Sequence, residues 1–377
     1  MFIELIKNTP DHRLDVIKEI LVSKKENKKL VLYGAGVRAE MQTCFLKKYN
    51  IDADAYCVDS EYYEQGKKFM GKEVYAFEEL IKAPGYVFLI SFMNCERAAD
   101  IMKSYPDTKM WYIDDLYDFF RMTYDYILQN RELFDESYEM LEDELSKKVF
   151  AAYINGKISD SPGELSNLRN KDGYQYDYEL LGLQDNETIV DCGAYTGDTI
   201  KEILSYTKGQ YNRIVAFEPD EQNNSEIKKN ISGKNIRVVN KGVWNKNDVL
   251  KFHSSKQSAS TFNEYEAENA AEFTGDEDSI VSVPVTTIDE ELSGEEVTLI
   301  KMDIEGSELK ALEGAADTIR RCYPKLAICV YHRADDFITI PQYISSFSND
   351  RIKYKFYMRQ HAPWMCETVL YAIPEKQ

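Results

Sequence analysis

No stretch of this chain approaches the roughly 20 apolar residues that a membrane-spanning helix needs. There is no C-x-x-C pair either, and the seven cysteines (Cys44, Cys57, Cys95, Cys192, Cys322, Cys329, Cys366) are an odd set. Neither a zinc knuckle nor a disulfide framework is supported, and reduced thiols within apolar runs are the natural reading. Positive charge is in deficit: 46 Lys and Arg stand against 65 Asp and Glu, a formal net charge of −19. Such a chain repels nucleic acid unless it hides a basic patch, and no Lys/Arg cluster here is rich enough to be one. The opening residues, Met-Phe-Ile-Glu-Leu-Ile-Lys, lack the long apolar core of a signal peptide. A soluble, cytoplasmic protein with no nucleic-acid partner and no membrane span is expected.

What is present suffices for two domains. The length is 377 residues and 44% are hydrophobic, enough for two ordinary cores. The most informative stretch is Ile189-Val190-Asp191-Cys192-Gly193-Ala194-Tyr195-Thr196-Gly197-Asp198. An apolar run climbs a strand to Asp191, a turn follows with Gly193 and Gly197, and Thr199–Leu204 begins a helical pattern. Strand, glycine turn and helix in that order put a ligand at the carboxyl edge of a parallel sheet. The glycines are four apart, unlike the G-x-G-x-x-G of a dinucleotide site. A carboxylate at the strand end suits a ligand carrying cationic groups, such as the amino acid end of S-adenosylmethionine, better than a pyrophosphate.

Residues 1–118 read as β-α-β-α-β, a small doubly wound, Rossmann-like domain. Its strand Lys29–Tyr33 runs into Gly34-Ala35-Gly36-Val37-Arg38-Ala39, a G-x-G-x-x-A turn. Asp59 closes the next strand, about where a ribose-binding acid belongs. The pattern Leu32-Tyr33-Gly34-Ala35-Gly36, with Gly71-Lys72-Glu73-Val74, resembles the N-terminal domains of bacterial sugar-modifying enzymes that hold a UDP-sugar. Nucleotide or nucleotide-sugar binding through Gly34, Gly36 and Asp59 stands beside a purely structural or docking role. Residues 119–177 turn helical and aromatic, then loop-like, and read as a helical bridge.

Residues 178–377 alternate strand and helix and finish in two consecutive strands, Tyr354–Met358 and Thr368–Ala372, which suits a seven-stranded sheet. A polar stretch, Ser254–Asp278, looks like a mobile insertion or lid. Three elements converge at strand ends. The first is the Asp191–Gly197 turn. The second is Glu218, which can accept both hydroxyls of a ribose. The third is Asp303 with Glu305 and Glu308, the last two spaced to share a helix face.

These residues carry a family resemblance. Val190-Asp191-Cys192-Gly193-Ala194, Phe217-Glu218-Pro219, Lys301-Met302-Asp303-Ile304-Glu305-Gly306-Ser307-Glu308, Tyr331-His332 and Arg359-Gln360-His361 resemble the FkbM family of S-adenosylmethionine-dependent methyltransferases, over about residues 174–373. The resemblance implies a class I methyltransferase fold and O-methylation of a sugar, glycoconjugate precursor or secondary metabolite. It implies cofactor contacts at Asp191, Gly193, Gly197 and Glu218, to which Ala194, Asp198, Gly242 and Asp303 are added as further candidates. Asp303, Glu305, Glu308, His332 and His361 would lie near the acceptor.

A sugar hydroxyl is a weak nucleophile and needs a base or a metal that acidifies it. His332 or His361 could be the base, with a carboxylate partner raising its pKa. Alternatively Asp303, Glu305 and a histidine hold Mg²⁺, Glu308 being a further candidate ligand. Blander readings stand beside these: Glu308 as a helix cap or surface residue, and Trp244 as a core residue instead of an adenine neighbour. Rival functions are a non-catalytic module that binds a nucleotide-sugar and S-adenosylmethionine, and an NAD-dependent enzyme centred on Gly34–Ala39. An RNA methyltransferase is disfavoured by the acidity. A small-molecule or glycan acceptor is the expected partner, and association into a homo-oligomer stays open.

Overall fold

The computed structural model describes residues 2–9, 12–92, 94–113, 121–160, 163–171, 173–231, 233, 235–253, 280–363 and 365–376. The expected lid at 254–278 lies outside the described residues, as does Phe120 of the expected bridge.

The architecture is mixed α/β, built on two largely parallel sheets. In the first, strands β1 (Lys29–Tyr33), β2 (Ala55–Val58), β3 (Lys68–Phe69), β4 (Lys72–Ala76), β5 (Tyr86–Ile90) and β6 (Met110–Tyr112) lie in the order β3-β4-β2-β1-β5-β6. All pairs are parallel except β3 with β4. The β3–β4 hairpin was not legible as such. Its two turn residues, Met70 and Gly71, both take positive φ (47° and 78°), which a two-residue hairpin turn requires. Successive residues of β1 point to opposite faces, so Leu30 and Leu32 meet Val16, Ile17 and Ile20 of helix His12–Lys25. Val31 and Tyr33 meet Phe77 and Leu80 on the other side.

The second sheet contains β7 (Thr188–Cys192), β8 (Arg213–Phe217), β9 (Ile236–Val239), β13 (Leu299–Met302), β14 (Lys325–Cys329), β15 (Ile352–Gln360) and β16 (Thr368–Lys376). Their order is β15-β16-β14-β13-β7-β8-β9. The terminal pair forms an antiparallel hairpin, and β16 also runs antiparallel to β14. Short strands β10 (Gly242–Val243), β11 (Asp248–His253) and β12 (Ile280–Thr286) form a separate three-stranded sheet. Strand order reverses at β7, with β8 on one side and β13 on the other. A doubly wound sheet opens its ligand crevice at such a point.

The helices expected as a bridge share the core of the second sheet. Helices Tyr124–Gln129, Arg131–Glu139 and Glu144–Ser159 bury Ile127, Phe134, Val149, Phe150 and Ile154 in one apolar cluster with Val190, Ile300 and Phe337. Phe2 joins them, its ring edge-on to Phe150 at 5.1 Å, while Tyr153 stacks on Phe337 at 4.5 Å. Aromatic faces of this size gain most by burial, so the segment docks on the nearest apolar surface. Arg359 of β15 fastens the same segment through Asp143 at 2.7 Å. The helical run after β13 is broken into Glu308–Glu313 and Ala316–Cys322. Gly314, at the break, packs so tightly on the Trp244 backbone that a Cβ there would stand 2.1 Å from its carbonyl oxygen.

Candidate functional site

The chain leaves β7 through a turn whose shape is dictated by its neighbours. A Cβ on Gly193 (φ 78°) would lie 1.9 Å from the Asp303 carbonyl oxygen, so only glycine lets β13 and the turn touch. A Cβ on Gly197 (φ 84°) would lie 2.9 Å from the Ile231 side chain. Ala194 is buried, and its amide and that of Gly193 both donate to the Phe217 carbonyl at 3.1 Å. Asp198 is exposed at the start of helix Asp198–Tyr206, where its carboxylate accepts from the Thr199 amide.

Asp191 does not present its carboxylate to a ligand. It is fully buried and ion-paired with Lys301 at 3.0 Å. Lys301 in turn donates to the Gly193 carbonyl at 2.8 Å, so the pair clamps the glycine turn onto β13. Burial would lower the Lys301 pKa, but Asp191 and Asp303 outweigh it and hold it above its ordinary value. The expected meeting of Asp191 with a cationic ligand is thus replaced by an internal cation. A lysine inside the apolar run Leu299–Met302 was the sequence signal for it, because a cation in a buried strand needs a partner.

Glu218 behaves differently. It is 6% exposed at the end of β8, with one oxygen accepting from the Tyr195 amide (2.8 Å) and the other from the Asp220 amide (2.9 Å). No ion pair to it is present among the described residues. Burial pushes its carboxyl up to about 7, against the pull of those amides. Each oxygen still has a lone pair to offer, since a carboxylate accepts about four hydrogen bonds in all. Gly242 sits in β10, paired with Val285, and Trp244 packs beside Leu250, Val283 and Val285 in the small sheet. Trp244 is thus partly buried against the small sheet.

Beyond β13 the chain bends through Glu305 (φ 57°) and Gly306 (φ 92°) into helix Glu308–Glu313. Asp303 accepts a hydrogen bond from the Tyr331 hydroxyl at 3.0 Å. Glu308 is neither on the surface nor a simple cap. It is fully buried, accepts from the Ile304 amide at 2.9 Å and meets His332 Nδ1 at 2.9 Å. His332 Nε2 points the other way, 3.4 Å from Asp303 and 3.5 Å from Glu305. Burial alone would lower the His332 pKa, but Glu308, Glu305 and Asp303 outweigh it and lift it to about 10. The three acids therefore favour the charged ring, which weakens His332 as the expected proton acceptor. Burial raises Glu305 to about 8, His332 opposing and Asp303 and Glu308 adding, although 31% of the side chain stays open to solvent. Asp336, buried alongside, is pushed well above the carboxylate range by burial and then by Glu308.

His361 belongs to a different contact. Its Nε2 lies within hydrogen-bond distance, 2.9 Å, of the Tyr371 hydroxyl, which also accepts from the Asp177 amide. Glu367, which sequence reasoning passed over, stands at left-handed φ (54°). Burial, then Asp303, Glu202 and Asp198, raises its carboxyl. No pattern marks a lone loop acid before the fold brings its neighbours together.

In the N-terminal sheet, Gly34 (φ 140°) is required by packing, since a Cβ there would lie 2.6 Å from the Ser91 carbonyl oxygen. Gly36 faces open space at the start of helix Val37–Lys47. Asp59 is ion-paired with Arg97 at 2.6 Å and accepts from the Tyr33 hydroxyl.

With this geometry in view, comparison with known proteins is decisive for one segment. Residues 191–360 match the model of the methyltransferase FkbM domain. The chain carries an FkbM methyltransferase domain. The match begins on Asp191 and closes on Gln360, so it spans the glycine turn, Glu218, the Asp303–Glu308 segment and His332. The crystal structure of methyltransferase FkbM from Methylobacillus flagellatus KT has the same fold, with a TM-score of 0.69 at 22% identity over 95% of this chain and 97% of that one. That likeness takes in the N-terminal sheet as well as the FkbM domain. An rRNA methylase from Streptococcus thermophilus aligns over 52% of this chain and 89% of its own, at 14% identity and a TM-score of 0.30. No curated protein matches.

Proposed function

We propose that this chain is an S-adenosylmethionine-dependent O-methyltransferase acting on a hydroxyl of a sugar, glycoconjugate precursor or secondary metabolite. The observation that carries the reading is Glu218: a buried carboxylate with no ion pair among the described residues, at the strand end beside the glycine turn. It is built to receive two hydroxyls from one ribose. The cofactor, when bound, supplies a methyl group already activated on a sulfonium.

The chain's own groups then position and hold. Asp191 and Lys301 fix the turn, and Tyr195 and Asp220 fix the Glu218 carboxylate. Exposed Asp198 adds negative potential beside the turn, where a ligand's ammonium would lie, and the raised Glu367 carboxyl reflects the acids gathered around it. Asp303, oriented by Tyr331, and Glu305 face the acceptor side. Holding an acceptor oxygen in line with the methyl carbon supplies much of the rate. With the His332 ring favoured in its charged form and the Glu305 carboxyl raised to about 8, the Asp303 carboxylate is the group open to the acceptor's proton.

Isothermal titration with S-adenosylhomocysteine tests the reading. We expect binding to the wild type and loss of at least tenfold in affinity in Glu218→Ala, a difference of about 1.4 kcal/mol. Absence of wild-type binding at about 1 mM, the limit of a −4.1 kcal/mol interaction, would sink it.

A further inference from the structure

We propose that Asp303, Glu305 and the Nε2 atom of His332 form a binding site for a divalent cation of the Mg²⁺/Mn²⁺ class, with Glu308 fixing the imidazole from behind. Acidic clusters are common on proteins and mean little alone. Here a second feature points inward: His332 is 3% exposed, and its Nε2 has no hydrogen-bond partner yet is aimed between two carboxylates.

The spacing is close to that of a coordination polyhedron. Two cis donors of an octahedral ion, each about 2.1 Å from it and about 90° apart, lie roughly 3.0 Å from one another. The distances from Nε2 to the Asp303 and Glu305 oxygens are 3.4 and 3.5 Å. Those values are too long for good hydrogen bonds and somewhat wider than a bound ion would hold them, so the partly open Glu305 side chain would turn inward to complete the set. Asp303 also approaches the His332–Glu308 pair closely enough that donor atoms of all three lie within 4.8 Å of one another.

The surrounding shell matches as well. Metal-binding histidines almost always donate their other ring N–H to a carboxylate, which fixes the tautomer and leaves the facing nitrogen as the donor. Glu308 holds Nδ1 in that way at 2.9 Å and is itself anchored by the Ile304 amide. Four carboxylates (Asp303, Glu305, Glu308 and Asp336) surround one imidazole, and a doubly charged ion offsets that excess better than one proton. Oxygen donors with a single imidazole and no thiolate select Mg²⁺ or Mn²⁺ over softer ions.

The binding of the cation stands on this cluster alone. Its use, to hold the acceptor hydroxyl and lower its pKa, rests on the methyltransferase reading. Mn²⁺ titration of the full chain, followed by electron paramagnetic resonance, is the test. We expect one Mn²⁺ per chain, displaced by excess Mg²⁺. Glu305→Gln, which removes a ligand, and Glu308→Gln, which touches only the far ring nitrogen, should each weaken it by about 10–100-fold. Circular dichroism melts confirm that both variants fold, and Asp303→Asn serves if either does not. Failure of the wild type to bind at about 1 mM Mn²⁺, or wild-type affinity in the folded variants, would overturn the proposal. Titration with S-adenosylhomocysteine on the same samples separates the two ideas. Mn²⁺ binding without cofactor binding leaves the cation site standing and removes the methyltransferase role, and the converse does the opposite.

Discussion

The chain contains the same device twice, and its two copies have different fates. In each sheet a first strand runs into a glycine turn and a helix, and the neighbouring strand ends in an acid: Asp59 beside Gly34–Gly36, Glu218 beside Gly193–Gly197. Burial would raise both acids. At Asp59 the Tyr33 hydroxyl and Arg97 outweigh burial and hold the carboxyl below its usual range. At Glu218 only amides oppose burial, and the carboxyl rises to about 7. The first acid is satisfied by its own protein, the second is short of a partner. A pattern of glycines and an acid thus tells where a ligand can fit, while the state of the acid tells whether one is awaited.

The largest effect separating the turns should come from their glycines. Gly193→Ala drives a Cβ into the Asp303 carbonyl, and we expect a loss of about 4 kcal/mol or more in urea unfolding, with cofactor binding abolished. Gly36→Ala meets open space and should change stability by no more than about 0.5 kcal/mol. If the two variants lose similar stability, the claim that close packing requires Gly193 fails.

The next effect is on ligand affinity. Glu218→Gln should weaken S-adenosylhomocysteine binding by about 10–100-fold, the cost of weakening hydrogen bonds to a charged group. Asp59→Asn should leave it unchanged. A related expectation needs no mutation. Glu218 titrates at about 7, so its ionised fraction rises roughly tenfold between pH 6 and 8, and affinity should rise with it. A flat profile in wild type would show that the carboxylate is not what the ribose hydroxyls meet.

Legibility from sequence followed the physics of each element. Strands β7 and β8 were readable from sequence, because a parallel strand buried on both faces is a nearly unbroken apolar run, and the helix expected from Thr199 starts one residue earlier. The family was readable from the Asp303–Glu308 segment, and the match over residues 191–360 bears that out. The hairpin at Met70–Gly71 and the break at Gly314 were not, since each depends on a backbone contact or φ value that composition does not show. At the site, residue types were legible and their pairing was not. Asp191 and Lys301 were both in the quoted motifs, yet their ion pair appears only when β13 lies beside β7. The protonation of His332 depends on three acids converging on one ring, and Glu367 enters through a loop that no motif reaches.

The smallest effect is also the one with opposite signs in the two copies. Glu218 has a folded pKa of about 7 against an ordinary 4.5, so its contribution to stability is fully present below the ordinary value. It is lost as pH rises through about 7. At pH 8 the ionised, buried carboxylate is a cost of up to about 3 kcal/mol, which Gln does not incur. Gln returns part of that gain, since only one of its two terminal atoms can accept from the Tyr195 and Asp220 amides, a loss of about 1–2 kcal/mol. Glu218→Gln should therefore stabilise the cofactor-free protein by about 1 kcal/mol at pH 8, and the gain should vanish by pH 5. Asp59, with its depressed pKa, contributes stability above the usual carboxylate range and loses it in acid. Arg97 is 44% exposed, so solvent screens the pair, and Asp59→Asn should cost about 1 kcal/mol or less at pH 8. Urea unfolding of both variants at pH 5 and 8 measures the signs. Two destabilised variants at pH 8 would mean that Glu218, like Asp59, already has its charge satisfied within the protein.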